Sequence, residues 1–82
     1  MFLAKVRVTL KTTVNDPEGI TISRALGNLG FDTVDSVRSG KYFEVRLNES
    51  DRAEAESKVK QMCEKLLANP VIERYSFELE SV

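Results

Sequence analysis

The 82-residue chain has no histidine, no tryptophan, one cysteine and two prolines. Each shortage excludes a chemistry. Without His there is no neutral imidazole base, no His-containing catalytic triad and no His metal ligand. A single thiol, Cys63, cannot close an internal disulfide, a thiolate zinc site or an iron–sulfur centre. Long apolar runs are also missing. Phe2-Leu3-Ala4 is followed at once by Lys5, so neither a signal-peptide core nor a membrane span is expected. The lone thiol suits a reducing compartment, and the expected location is cytoplasmic. Charge of either sign is not in excess: 12 basic and 13 acidic residues leave a net charge of -1, which argues against a nucleic-acid or other polyanion partner.

What is present reads as an ordinary globular chain, 41% apolar and 30% charged, with room for one domain over residues 1–82. No linker or low-complexity run divides it. A core this small is thin, so a partner subunit is expected from size alone.

Leu3 to Leu10 alternates, with Ala4, Val6, Val8 and Leu10 opposite Lys5, Arg7, Thr9 and Lys11. That period predicts a strand with one buried face. Asp16-Pro17 predicts a helix start, because Asp accepts hydrogen bonds from free first-turn amides and Pro fits the first helical position. Ile22, Ala25, Leu26 and Leu29 form its stripe, and Gly30 suits the left-handed cap. Phe31 to Arg38 is read as a second strand, although Val34 and Val37 break the alternation and leave a bulge open. Ser39-Gly40-Lys41 would then turn into a third strand, Tyr42 to Leu47, completing a hairpin. Ser50 or Asp51 caps a helix over Arg52 to Leu67, with Ala55, Val59, Met62, Cys63 and Leu66 inward and Glu54–Lys58 and Glu56–Lys60 as outer i,i+4 pairs. Asn69-Pro70 stops it. Val71 to Leu79 is the last strand.

The order βαββαβ predicts an α+β domain, an antiparallel four-stranded sheet with two helices on one face, of ferredoxin-like type or a relative. Charge divides unevenly, +2 over residues 1–41 and -3 over 42–82.

Such folds host many functions. An RNA-recognition surface needs stacking aromatics on the central strands, and Tyr42 and Phe43 face opposite ways. A metal chaperone needs paired thiols after the first strand, where Thr12 and Thr13 stand. A phosphate cradle is ill served by Asn15-Asp16-Pro17-Glu18-Gly19, with two acids and few free amides. Asp16 and Glu18 read as a cap and a first-turn acid, and Cys63 as packing, since nothing nearby activates it. Lys5, Arg7 and Lys11 make a basic line on one sheet face, either solvated or facing an acidic partner. A free-standing ferredoxin-like domain that binds a small molecule or regulates stays open as an alternative.

Several segments together carry a resemblance: Val14-Asn15-Asp16-Pro17-Glu18-Gly19, Ala25-Leu26 with Leu29-Gly30-Phe31, Val37-Arg38-Ser39-Gly40-Lys41-Tyr42, and Met62 through Glu73. The series resembles the PurS family, the small subunit of phosphoribosylformylglycinamidine (FGAM) synthase, over nearly the whole chain. It departs at Thr12-Thr13, where the family often has a Pro-Gly-like turn, and at Ile20, where a polar residue is common.

The resemblance implies a non-catalytic subunit of de novo purine biosynthesis. It implies a homodimer that bridges the large synthetase subunit (PurL) and the glutaminase subunit (PurQ) and supports ammonia transfer between them. ATP, magnesium and glutamine serve the complex, and this chain binds no cofactor or metal. Expected partner contacts lie in loops, where a small scaffold presents groups without disturbing its core. They are Lys11, Asn15 and Asp16 before the first helix, Arg38, Gly40, Lys41 and Tyr42 around the turn, and Asn69 and Pro70 at the second helix exit. For dimerisation the last strand and the open strand edges are the expected surface, with exchange of a C-terminal segment as a variant.

Overall fold

A computed structural model describes all of residues 1–82. Strand β1 (Phe2–Leu10) is followed by helix α1 (Pro17–Asn28), strand β2 (Gly40–Leu47), helix α2 (Arg52–Met62) with a π-helical extension (Cys63–Leu67), and strand β3 (Glu73–Ser81). The sheet is three-stranded and antiparallel in the order β2-β1-β3. Val6 sits opposite Phe43 on one side and Phe77 on the other.

The alternation in β1 does what period two dictates. Phe2, Ala4, Val6 and Val8 are buried, and Phe43, Val45, Tyr75, Phe77 and Leu79 pack against the same core from the flanking strands. From α2 and its extension come Ala55, Val59 and Cys63, four residues apart and fully buried. Asp51 caps α2, its side chain accepting from the Ala53 N–H at 3.3 Å.

The class is α+β with an antiparallel sheet, and four details differ from expectation. First, Phe31–Arg38 forms no strand and the central hairpin is absent. Val34 and Val37 lie an odd interval apart, so no single face could be buried, and the Ser39 N–H bonds the Asp16 carboxylate instead of a ladder. Gly40 and Lys41, expected in a turn, open β2 and pair with Thr9 and Val8. Second, α1 does not lie on the sheet. Only α2 packs against β1, and of the α1 residues only Gly19 is buried. Third, the second helix changes period at Cys63. The Ala68 N–H reaches back five residues to the Cys63 carbonyl at 2.9 Å, which turns Leu67 and Ala68 toward the core and leaves Leu66, expected inward, 83% exposed. Fourth, Lys58 pairs with Glu49 rather than Glu54, and β3 begins at Glu73 because Asn69 to Ile72 form a turn.

Candidate functional site

Antiparallel pairing brings three chain crossings to one end of the sheet. Thr9 faces Gly40 and Leu10 faces Glu73, so β1 leaves where β2 and β3 enter. The loops 11–16, 36–40 and 68–73 meet there in a single pole. Seven of the nine sequence-nominated contact residues fall in it, and Lys41 stands at its rim beside Glu73.

Asp16 is the keystone. Its carboxylate accepts from the Gly19 N–H at 2.9 Å, the Ser39 N–H at 2.7 Å and the Ser39 hydroxyl at 3.1 Å, and only 4% of the residue is exposed. The Gly19 and Ser39 amides hold its pKa below the usual carboxylate range, with Arg38 adding a smaller pull. Arg38 binds backbone too: one guanidinium nitrogen donates to the Lys11 carbonyl at 2.9 Å and the Val14 carbonyl at 3.0 Å. The Lys11 N–H donates to the Ile72 carbonyl at 2.8 Å, which joins the first loop to the third. Asn69 accepts from the Val71 N–H through its side chain and from the Ile72 and Glu73 N–H groups through its carbonyl, while its own N–H donates to the Glu73 carboxylate at 2.7 Å. Lys41 lies 3.8 Å from that carboxylate. A side chain at Gly40 would press on the Val8 carbonyl, 2.7 Å away.

The nominated residues therefore divide. Asp16, Arg38 and Asn69 spend their polar groups on the backbone of the pole, and Gly40 is required by close approach. Asn15, Lys41 and Pro70 are exposed, and Lys11 is half-buried. Tyr42 stands apart from the pole on the open face of the sheet. Its hydroxyl donates to Glu44 at 3.0 Å, and the Arg7 guanidinium lies 5.9 Å from its ring centre. Partial burial and then the Glu44 bond push its pKa up. The basic line on that face is balanced within the chain: Lys5 pairs with Glu80 at 2.6 Å and Arg7 with Glu78 at 3.4 Å.

Cys63 is buried, and burial followed by the neighbouring Glu64 pushes its thiol pKa up, the wrong direction for a nucleophile. No group of three His, Cys, Asp or Glu side chains is placed to hold a metal ion. No helix is long and apolar enough to cross a membrane.

One feature was misread from sequence. Large apolar side chains lie open: Leu29 and Phe31 at the end of α1 and Leu66 on the π-helix, all outside the pole, and Val71 within it. The stripe of α1 was visible as a stripe, but its period alone does not say which chain covers it.

Comparison with known proteins names the family. Residues 3–81 match the sequence profile of PurS, phosphoribosylformylglycinamidine (FGAM) synthase. The chain belongs to the PurS family. It is 48% identical over 82 residues to the FGAM synthase subunit PurS of Bacillus subtilis, covering 100% of this chain and 96% of that one. It is 40% identical over 82 residues to the PurS subunit of Methanocaldococcus jannaschii, covering 100% and 99%. The solved B. subtilis PurS structure superposes with a TM-score of 0.89 at 47% identity, over 99% of this chain and 100% of that chain. A chain in the structure of PurLQS from Thermotoga maritima superposes with a TM-score of 0.86 at 31% identity, over 98% and 99%. The three-stranded sheet and the extended α1 therefore belong to a fold shared with solved PurS chains.

Proposed function

We propose that this PurS chain, acting as one domain over residues 1–82, is the non-catalytic small subunit of FGAM synthase. It self-associates and bridges the synthetase PurL and the glutaminase PurQ. The observation that carries the reading is the near full-length likeness to a chain of the T. maritima PurLQS structure. The loop pole supports it, because that surface is stiffened by hydrogen bonds to backbone while Asn15, Lys41 and Pro70 stay open for contact. No nucleic-acid or membrane partner is proposed.

The reaction explains why a bridge is needed. The glutaminase frees ammonia from glutamine. The synthetase uses ATP with magnesium to phosphorylate the amide oxygen of formylglycinamide ribonucleotide, and ammonia displaces that phosphate. In bulk water near pH 7 ammonia is mostly protonated and no longer nucleophilic, so the two sites must be held together and shielded. The cytoplasm, where ATP and glutamine are available, is the proposed location.

The test is reconstitution. Purified PurL and PurQ should make FGAM from glutamine only when this chain is added, while turnover driven by added ammonium salt should need PurL alone. Equal glutamine-dependent rates with and without the chain would refute the bridging role.

A further inference from the structure

The open face of the sheet, away from α2, changes character along its length. In the register, Leu3 lies between Arg46 and Glu80, and Lys5 between Glu44 and Glu78. Bases and acids are mixed there, as suits a solvated face. Toward the loop pole the acids stop. Arg7 lies opposite Ser76, and Thr9 opposite Arg74. Two arginines thus stand on one diagonal of a four-residue square, and two hydroxyls on the other. Long side chains reach across such a diagonal, and like charges at that range repel.

These four residues, with Tyr75, line a cavity of about 300 Å³. An adjoining cavity of about 310 Å³ shares Thr9 and Arg74 and extends past Thr12, Ser36 and Arg38. No carboxylate lines either one.

The guanidinium groups are positioned and still have bonds to give. Arg74 donates through Nε to the Thr9 hydroxyl at 3.3 Å, which leaves both terminal nitrogens without an acceptor in the chain. It has no carboxylate partner. Arg7 lies over the Tyr42 ring, and its one carboxylate contact, Glu78 at 3.4 Å, joins two groups that are both more than half exposed. Little is lost by exchanging such a pair for another anion. Arg38 spends one terminal nitrogen on the Lys11 and Val14 carbonyls, which holds its guanidinium at the far wall. Fixed guanidinium forks from two strands suit a tetrahedral oxyanion. A phosphate monoester brings close to two negative charges and three acceptor oxygens, enough for both arginines and the flanking hydroxyls. The second cavity bears on what the phosphate is attached to. It offers the Thr12 and Ser36 hydroxyls, one apolar side chain, Leu10, and no aromatic face. That lining suits a polyhydroxyl group rather than a base or an acyl tail.

We propose that the square of Arg7, Thr9, Arg74 and Ser76 binds the phosphate of a sugar monophosphate, whose hydroxyls extend toward Thr12, Ser36 and Arg38. The site is complete in one chain and does not rest on the bridging role. A ligand there ties β1 and β3 to the 36–40 loop, and so bears on the shape of the pole.

Isothermal titration calorimetry on the intact chain at low ionic strength tests it, with ribose 5-phosphate, inorganic phosphate and ribose as probes. Ribose 5-phosphate should bind saturably with a Kd below about 1 mM. It should bind at least about 5-fold more tightly than inorganic phosphate, and ribose alone should give no signal. Arg7→Gln and Arg74→Gln should each weaken ribose 5-phosphate binding at least about 10-fold. Ser36→Ala should weaken ribose 5-phosphate binding by about 3-fold and leave inorganic phosphate unchanged. Arg46→Gln, on the same face but outside the square, should change either affinity by less than about 2-fold. All four variants should keep the circular dichroism spectrum of the wild type. Absence of saturable binding, or an equal loss in Arg46→Gln, overturns the site. Equal affinity for ribose 5-phosphate and inorganic phosphate overturns the sugar assignment. Should Arg7→Gln and Arg74→Gln bind ribose 5-phosphate normally yet fail to support glutamine-dependent turnover with PurL and PurQ, the arginines serve a carboxylate on a partner subunit and the proposal falls.

Discussion

The two helices of this chain make opposite use of their apolar residues. Helix α2 is the more polar in sequence, yet Ala55, Val59 and Cys63 are wholly buried on β1. Helix α1 has the clearer stripe, yet Leu29 is 73% exposed. Small side chains at a four-residue interval let α2 approach the sheet closely. Larger ones on α1 stay exposed or half-exposed. An amphipathic pattern states that a face must be covered, and it leaves open by whom.

The sharpest way to break this contrast is to place a charge on each helix. Val59→Asp sets a carboxylate against Val6 and Val8 with no partner, which should cost more than about 4 kcal/mol. That is most of the stability a chain of this size has, so the cooperative urea transition should vanish. Leu29→Asp should cost the folding of a single chain less than about 0.5 kcal/mol. Its effect should appear instead as a midpoint that no longer rises with protein concentration. Equal losses for both variants at low protein concentration would mean that α1 is packed within its own chain.

The glycines of α1 offer a smaller, internal comparison. Gly19 faces the Val37 carbonyl, whereas nothing lies within 4 Å of a Cβ at Gly27. Gly19→Ala must push the 31–39 segment outward and should destabilise by about 1–3 kcal/mol. Gly27→Ala should stabilise by about 0.5–1 kcal/mol, because the helix gains a better former at an open site. Thermal melts of the two variants should move in opposite directions. A matching shift would show that the pole does not clamp α1.

Much of this was legible in the sequence. The alternation of β1, the Asp16-Pro17 start, the positive φ of Gly30 (97°) and the stop at Asn69-Pro70 each have a local physical cause. So does the gathering of Lys11, Arg38 and Asn69 near one another, once three strand ends share one side of a sheet. What was not legible depends on partners remote in sequence. Residues 31–38 were read as a strand because valines favour strands, but Ser39 is drawn to a carboxylate 23 residues earlier. Leu66 was placed inward by a 3.6-residue period that the π-turn interrupts. Asp16 was read as a helix cap and is one, but its hold on Ser39 and the grip of Arg38 on the Lys11 and Val14 carbonyls join residues too far apart in sequence to be foreseen.

The subtlest difference between the regions is electrical. The attachment of α1 rests on an ionised carboxylate, while that of α2 rests on apolar packing, so acid should loosen one before the other. The backbone amides of Gly19 and Ser39 lower the folded-state pKa of Asp16, whereas in the unfolded chain it lies near about 4. A group depressed on folding contributes stability that is fully present above its unfolded value and is lost as pH falls through its folded value. Asp16→Asn keeps the size of the side chain and removes the titration. Urea midpoints of wild type and Asp16→Asn should therefore differ most at pH 5–7 and converge as pH falls below about 4, the other carboxylates being common to both. A gap that stays constant down to pH 2.5 would mean that the Asp16 charge contributes nothing to holding α1, and that the clamp is the shape of Gly19 against Val37 alone.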